Sequence, residues 1–269
     1  GMITYPMADF VQLIINTPDL QNEISNEGNI FIEEANWLLN EIALTINAHE
    51  DQWDSVDNVY RFRDTDILNY PSEILPHNQY SAMGRTLLMM YLATNNDEYL
   101  QKVISLANSF YNSISHDISS NTYTWGYSNW SSNEDVSHAA IEVNFAYLCY
   151  KNNIIFNEEN LNIFANTFMN FIYINPLEFA DNIDGSGDTN SHIYQTARWL
   201  TLSEFNKDIY QLIIDVYIDI ALDLDNSVTH GSILLGIANS SLYSEFLNPI
   251  STYRNFGSSS NWKGITIGD

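Results

Sequence analysis

The chain has 269 residues, 45% of them hydrophobic, enough for one large domain or two small ones with a sizeable core. Nine Lys and Arg stand against 34 Asp and Glu, and the formal charge of −25 opposes nucleic acid, whose binding rests on basic side chains meeting phosphates, and anionic membrane surfaces. The single Cys149 excludes an internal disulfide and a cysteine zinc cluster, and no apolar run reaches the ~18 residues of a spanning helix.

In chain order, residues 1–28 are mixed. Neither a basic segment nor an apolar run follows Gly1-Met2, so no signal peptide is visible, and a periplasmic or secreted location is the expectation if a leader was trimmed. A short helix is expected after Phe10, before Thr17-Pro18. Residues 29–48 carry Ile30, Trp37, Leu38, Ile42 and Ile46 at helical spacing. Residues 50–76 are acidic and aromatic without a lasting period, which predicts a structured loop.

The rest reads as helix pairs. Residues 79–94 are apolar nearly all round, the pattern of a buried helix; after Asn95-Asn96-Asp97, residues Tyr99, Val103, Leu106, Phe110 and Ile114 form one apolar stripe. The alternation recurs with 137–150 and 158–174, then 191–205 and 208–222, and a last pair begins at His230 and ends near Phe246. Leu106-Ala-Asn-Ser-Phe110 echoes Phe164-Ala-Asn-Thr-Phe168. The first member of each pair opens near a histidine: His77, His138, His192 and His230. In a ring of hairpins these would share one bowl; the alternative is a set of helix-start residues brought there by chance or by capping.

The chemistry gathers in residues 125–143, WGYSNWSSNEDVSHAAIEV. Trp125, Tyr127 and Trp130 offer flat apolar faces for a pyranose, although such residues also cover core edges, and only Tyr127 and Trp130 are expected at a site. Glycoside hydrolysis needs one protonated and one ionised carboxyl. Glu134 is the better acid, since Asp135 is placed to cap the following helix. His138 titrates near neutrality and serves as base, with Glu142 four residues on as an orienting partner. Glu142 is equally a partner for Arg85, which, like Arg198, lies inside an apolar run and needs a carboxylate there. No HExxH-type spacing supports a metal. Asn182, Asp184 and Asp188 resemble part of a calcium loop, but Ile193 stands where a bidentate Glu is required; a Gly/Asp turn leading to His192 is the preferred reading, and Ca²⁺ the lesser one.

The stretch from Pro76 to Leu100, with its His77-Asn78-Gln79 opening, Gly84, and Thr94-Asn95-Asn96-Asp97 turn before Tyr99-Leu100, resembles the repeated hairpin of six-hairpin (α/α) toroid carbohydrate-active proteins. The Gly of the family's Thr-Gly-Asp-like turn is missing. The 125–143 stretch is similar to their aromatic-loop, Glu-Asp-x-Ser-His-Ala element. The resemblance extends over about residues 29–246 in architecture and implies an all-α toroid or partial toroid of helical hairpins, with 1–269 as one domain and 50–76 and 116–136 as long loops at the bowl rim. It also implies a carbohydrate partner, with cleavage of a polysaccharide or oligosaccharide by hydrolysis or β-elimination. Lyases of this group use Asn with His or Tyr; the mannanase-like members use adjacent acidic residues, here Glu134-Asp135 in a different hairpin from the usual one. The expected catalytic set is Glu134, His138 and Tyr127, and the expected substrate binders are His77, Asn78, Trp130, His192, Tyr194, Arg198 and His230. A non-catalytic glycan-binding or protein-interaction module on the same fold is the alternative.

Overall fold

A computed structural model of the chain describes residues 1–65, 70, 72–222, 238, 239 and 243. His230 and nearly all of the expected last pair lie outside the described residues. What is described is all-α in body, four helical hairpins in an inner and an outer layer, with three small ribbons attached.

The first hairpin is α1 (Thr4–Asn16) with α2 (Phe31–Asn47). The short helix expected after Phe10 starts earlier, at Thr4, because Thr4, Ala8, Val11 and Ile14 fall on one face and are buried together. Thr4 Oγ1 also meets Thr86 Oγ1 at 3.0 Å, tying α1 to the next inner helix. In α2 the buried face is Ala35, Ile42 and Ile46, while Trp37, expected on that stripe, is 59% exposed.

Next come α3 (His77–Thr94) with α4 (Asp97–Ser113), and α5 (Val136–Lys151) with α6 (Glu158–Thr167), the latter continued by a π turn over Phe168–Ile172. The fourth hairpin joins a 3₁₀ segment (Ile193–Glu204) to α7 (Lys207–Leu222). α1, α3, α5 and the 3₁₀ segment pack side by side as the inner layer. The expected helix over 191–205 therefore forms as a 3₁₀ run. Its winding places side chains three apart on one line, and Thr196, Trp199 and Leu202 are fully buried in that register, with Trp199 Nε1 donating to Val136 O at 2.9 Å.

Burial follows the patterns. α3 is buried nearly all round from His77 to Met90, whereas α4 buries only Val103, Leu106, Ala107 and Phe110. The echoed segments occupy corresponding outer-helix positions, and Phe110 and Phe164 stack with centroids 6.3 Å apart. Within the two expected rim stretches lie antiparallel ribbons: β1 (Trp53–Asp54) with β2 (Val59–Tyr60), and β3 (Ser115–Asp117) with β4 (Thr122–Thr124). A third, β5 (Tyr173–Asn175) with β6 (Glu178–Phe179), follows the π turn.

Two positions explain how the hairpins close. Asn95 ends α3 in the left-handed conformation, φ 56° and ψ 29°, and returns its N–H to Tyr91 O at 2.7 Å. That is the role a glycine ordinarily takes at a helix end, so Asn95 replaces the glycine absent from the turn. Asn96 then caps α4 by accepting from Glu98 N. Gly84 lets α3 and α5 meet, since a Cβ there would stand 2.6 Å from the fully buried Phe145 ring.

Gly84→Val is expected to overpack this contact and destabilise the fold by about 1–3 kcal/mol, read by urea denaturation. Asn95→Gly should leave the unfolding midpoint unchanged or raise it, while Asn95→Val, forced into the left-handed region, should lose about 1–2 kcal/mol.

Candidate functional site

The site is built at the N-terminus of α5. Asp135 is its N-cap: Oδ1 accepts from Ser137 N at 2.8 Å and from His138 N at 2.9 Å. The other oxygen, Oδ2, meets His138 Nδ1 at 2.5 Å. One carboxylate thus closes the helix end and aims an imidazole three residues later. The backbone here is pinned by the turn over 181–188: Val136 N donates to Asp181 O at 2.8 Å, and Ile183 N to Glu134 O at 3.1 Å. In that turn Asp184 Oδ1 accepts from Ser186 N and Oγ, Asn182 Nδ2 donates to Ser186 Oγ, and Gly185 and Gly187 adopt positive φ. Asn182 and Asp184 are thereby directed at Ser186, and the segment buttresses Glu134 and Val136.

Proton affinities diverge sharply across two neighbours. Burial raises the Asp135 carboxyl, but the hydrogen bonds from the His138 ring and backbone, with charge from His138 and His192, outweigh it and hold the group below the ordinary carboxylate range. The helix N-terminus favours the same anion. Glu134 is only 1% exposed; burial first, and the Asp135 charge second, push its carboxyl well above the usual range. His138 is raised, chiefly by its bond to Asp135. Glu142, fully buried one helical turn below His138, is also raised well above the usual range, by burial and then by Glu134. His192 Nε2 lies 3.8 Å from Asp135 Oδ1.

Atoms of Glu134, Asp135 and His138 able to bind a cation lie within 4.8 Å of one another. Asp135 and His138 are already joined, and Glu134 Oε1 accepts from Asp135 N at 3.0 Å. The three groups are thus held by bonds to one another and to the backbone.

The remaining expected residues divide. Tyr127 packs against the His138 ring, with centroids 5.4 Å apart, and edge-on to Trp130 at 6.4 Å. Trp130, 38% exposed, stacks on Tyr70, 43% exposed, at 4.6 Å and 20°. Tyr70 belongs to the acidic aromatic stretch, which has no period to single it out. Arg198 reaches Ser137 Oγ at 3.5 Å, and the Tyr194 carbonyl accepts from Tyr217 Oη at 2.6 Å. His77 opens α3, yet its ring is turned inward: Nδ1 meets Tyr80 Oη at 2.7 Å, Phe110 packs nearby, and burial pushes it down to about 4. Its backbone N–H joins the site by donating to Tyr127 O at 3.1 Å. Asn78 is buried beside it, its Oδ1 without a donor among the described residues.

Two partnerships differ from expectation. Glu142 does not orient His138, because Asp135 is nearer and does so; it accepts from Trp125 Nε1, an indole fully enclosed between Phe110 and Phe164. Nor does it pair with Arg85, whose Nη1 donates to Asn144 Oδ1 at 3.0 Å and whose guanidinium lies over the Tyr5 ring. Glu142 stands alone as a carboxyl in the apolar run of α5, and that isolation is the signal that marks it. A shallow cavity of about 450 Å³ on α4, lined by Asp57, Asn108, Asn112 and Asn129 among others, lies apart from this cluster; its Asp57 is bonded to Arg61, and it carries no aromatic face.

No family model matches the chain, and no curated protein matches it. Among solved structures, a GH76 α-mannanase of Bacteroides thetaiotaomicron is similar over 90% of this chain and 67% of its own, with TM-score 0.56 and 13% identity. The GH76A α-1,6-mannanase of Salegentibacter sp. HEL1_6 is similar at TM-score 0.49 and 11% identity, over 90% of this chain and 74% of its own. An inactive variant of that enzyme in complex with α-1,6-mannotetrose gives 0.49 and 12% over the same shares. The fold is a helical-hairpin (α/α) toroid in partial form.

Titration of the histidine rings by NMR tests the site's electrostatics. His77 should stay neutral down to about pH 4, while His138 should protonate above its ordinary 6.5. Asp135→Asn should bring His138 down. Since the folded value of His138 is raised, its contribution to stability is fully present below pH 6.5 and is lost as pH rises through the folded value.

Proposed function

We propose that this chain is a glycoside hydrolase. The observation that carries the reading is the pair of sequence neighbours, Glu134 and Asp135, held on opposite sides of the usual carboxylate range by burial in one case and hydrogen bonding in the other. Titratable neighbours whose environments push them apart are how acid and base roles are divided, and glycoside hydrolysis requires that division. Glu134 is the proton source and Asp135 the ionised partner. The Glu134 side chain is closed to solvent, whereas that of His138 is 43% exposed with Nδ1 at 3.9 Å from Glu134 Oε1. His138 therefore passes the proton outward. The glycosidic C–O bond breaks, the leaving oxygen takes this proton, and water adds hydroxide to the anomeric carbon while Asp135 takes the remaining proton.

Tyr127, Trp130 and Tyr70 supply the faces on which sugar rings stack. His192, beside Asp135, Tyr194 and Arg198 are assigned as further binders, and Arg198, directed at Ser137, serves hydroxyls. A net charge of −25 supports a neutral glycan, and the activity named for the Bacteroides structure makes α-mannan the first substrate to try. A second reading, a glycan-binding module without turnover, is favoured by the closure of Glu134.

The test is a panel of neutral and uronic polysaccharides read by reducing ends and by absorbance of unsaturated products. Reducing ends alone are expected, with Glu134→Gln and Asp135→Asn each lowering kcat by about 10²–10⁴ while calorimetric binding persists. Activity should appear on the acid side as Asp135 ionises, below the ordinary carboxylate range, and fall on the alkaline side above pH 6.5 as His138 and Glu134 lose their protons. Binding without cleavage on every glycan selects the second reading, and unsaturated product selects elimination.

A further inference from the structure

The buried carboxyl of Glu142 has no place in the chemistry described so far. It is wholly inaccessible, and one of its oxygens accepts from the enclosed indole of Trp125. Its other oxygen, Oε1, and Glu134 Oε2 are both buried, and neither has a donor among the described residues when both groups are ionised. The two carboxyl groups come within hydrogen-bonding reach of each other once one of them carries a proton. Glu134 Oε1 is already taken by Asp135 N. The other oxygen of each group has an N–H donor, so the two orphaned oxygens are the ones left for a contact between the carboxyls.

We infer that Glu142 keeps a proton and donates it to Glu134, so that Glu142 is the positioning residue that fixes the Glu134 carboxyl at the floor of the site. This rests on the hydrolase reading for its consequence in turnover, but not for the proton itself. The groups facing the pair agree. Asp135 and His138 lie above it, Trp125 and Tyr127 come from the aromatic loop, and Tyr80 lies below from α3, with its hydroxyl on the neutral ring of His77. Arg198 and His192 direct their charge at Asp135 and His138, one layer out. No cation touches Glu142 among the described residues, so its burial favours the neutral form. The bond also has a direction. A protonated donor makes its acceptor easier to ionise, and the Glu134–Glu142 bond lowers Glu134 and raises Glu142.

The direction makes the inference testable by sign. Carbon-13-labelled glutamate in the full chain is followed by NMR through a pH titration, with infrared spectra at pH 7. The wild-type protein should show a protonated-carboxyl band at pH 7 that Glu142→Gln removes in part. Glu142→Gln retains an N–H donor and should leave the Glu134 titration near its wild-type position. Glu142→Leu removes the donor and should move it upward by about one pH unit, with the alkaline limb of any pH–rate profile moving the same way. Should Glu142→Leu fold poorly because Trp125 loses its acceptor, the double variant Trp125→Phe with Glu142→Leu removes both and gives the same reading.

If Glu142 is instead an ionised neighbour, its charge raises Glu134, and both Gln and Leu must move the titration downward. That result, or an unchanged infrared band in Glu142→Gln, overturns the inference. A protein that cleaves no glycan but shows the upward shift in Glu142→Leu with rescue by Gln supports the shared proton, and only the hydrolase reading falls.

Discussion

One carboxylate organises this end of the molecule. Asp135 caps α5 with one oxygen and holds His138 with the other, so the helix start, the imidazole and the neighbouring Glu134 share a single geometry. The cap is strong because its acceptor is charged and the donors are a helix N-terminus that attracts anions. Backbone pairing with the 181–188 turn fixes the residues on either side. The same ionised group that completes the helix also raises its imidazole partner and its carboxyl neighbour. Secondary structure and chemistry are here one interaction.

Beneath it, the inner layer accepts a concentration of polar groups that a core built for stability would omit. His77, Asn78, Glu134 and Glu142 are all buried within two adjoining inner helix ends, and each such group costs free energy unless it is hydrogen-bonded. Tyr80 answers His77, Trp125 answers Glu142, and Glu134 and Glu142 answer each other through a proton. The close approach at Gly84 packs together α3 and α5, the helices that carry His77, Asn78 and Glu142. Perturbed groups gathered in that way are where function is expected, and the aromatic faces of Tyr127, Trp130 and Tyr70 lie immediately outside it.

Neither Arg85 nor Arg198 forms an ion pair with Glu134 or Glu142 among the described residues. Arg85 lies over Tyr5 and bonds Asn144, with burial pushing it down to about 10, and Arg198 is directed at Ser137. Two opposed carboxyls, an imidazole and stacking rings come together in a chain of strongly negative charge, the setting from which a neutral glycan is proposed as ligand. Burial of His77 follows from the same economy of space: a ring at the first position of a helix that is buried nearly all round turns to the nearest hydroxyl.

Local patterning by itself determined the helices, because apolar spacing is a property of neighbouring residues: the all-round burial of α3 and α5, the stripe of α4, and the cap at Asp135 were all legible in the order of residues. So was the clustering of Glu134, Asp135, His138, Tyr127 and Trp130, which are close in sequence and had little room to separate. What the order of residues could not decide was direction. Whether Trp125 faces solvent or Glu142, whether His77 faces the bowl or Tyr80, whether Trp37 lies inward, and that Tyr70 comes to stack on Trp130 from some sixty residues away depend on which elements pack against which. Residues 193–204 also run as 3₁₀ turns that the apolar pattern did not distinguish from an α-helix, and they are buried from Thr196 to Ser203 but for Arg198. Proton affinity belongs to the same class, because desolvation exists only once the surrounding helices have closed.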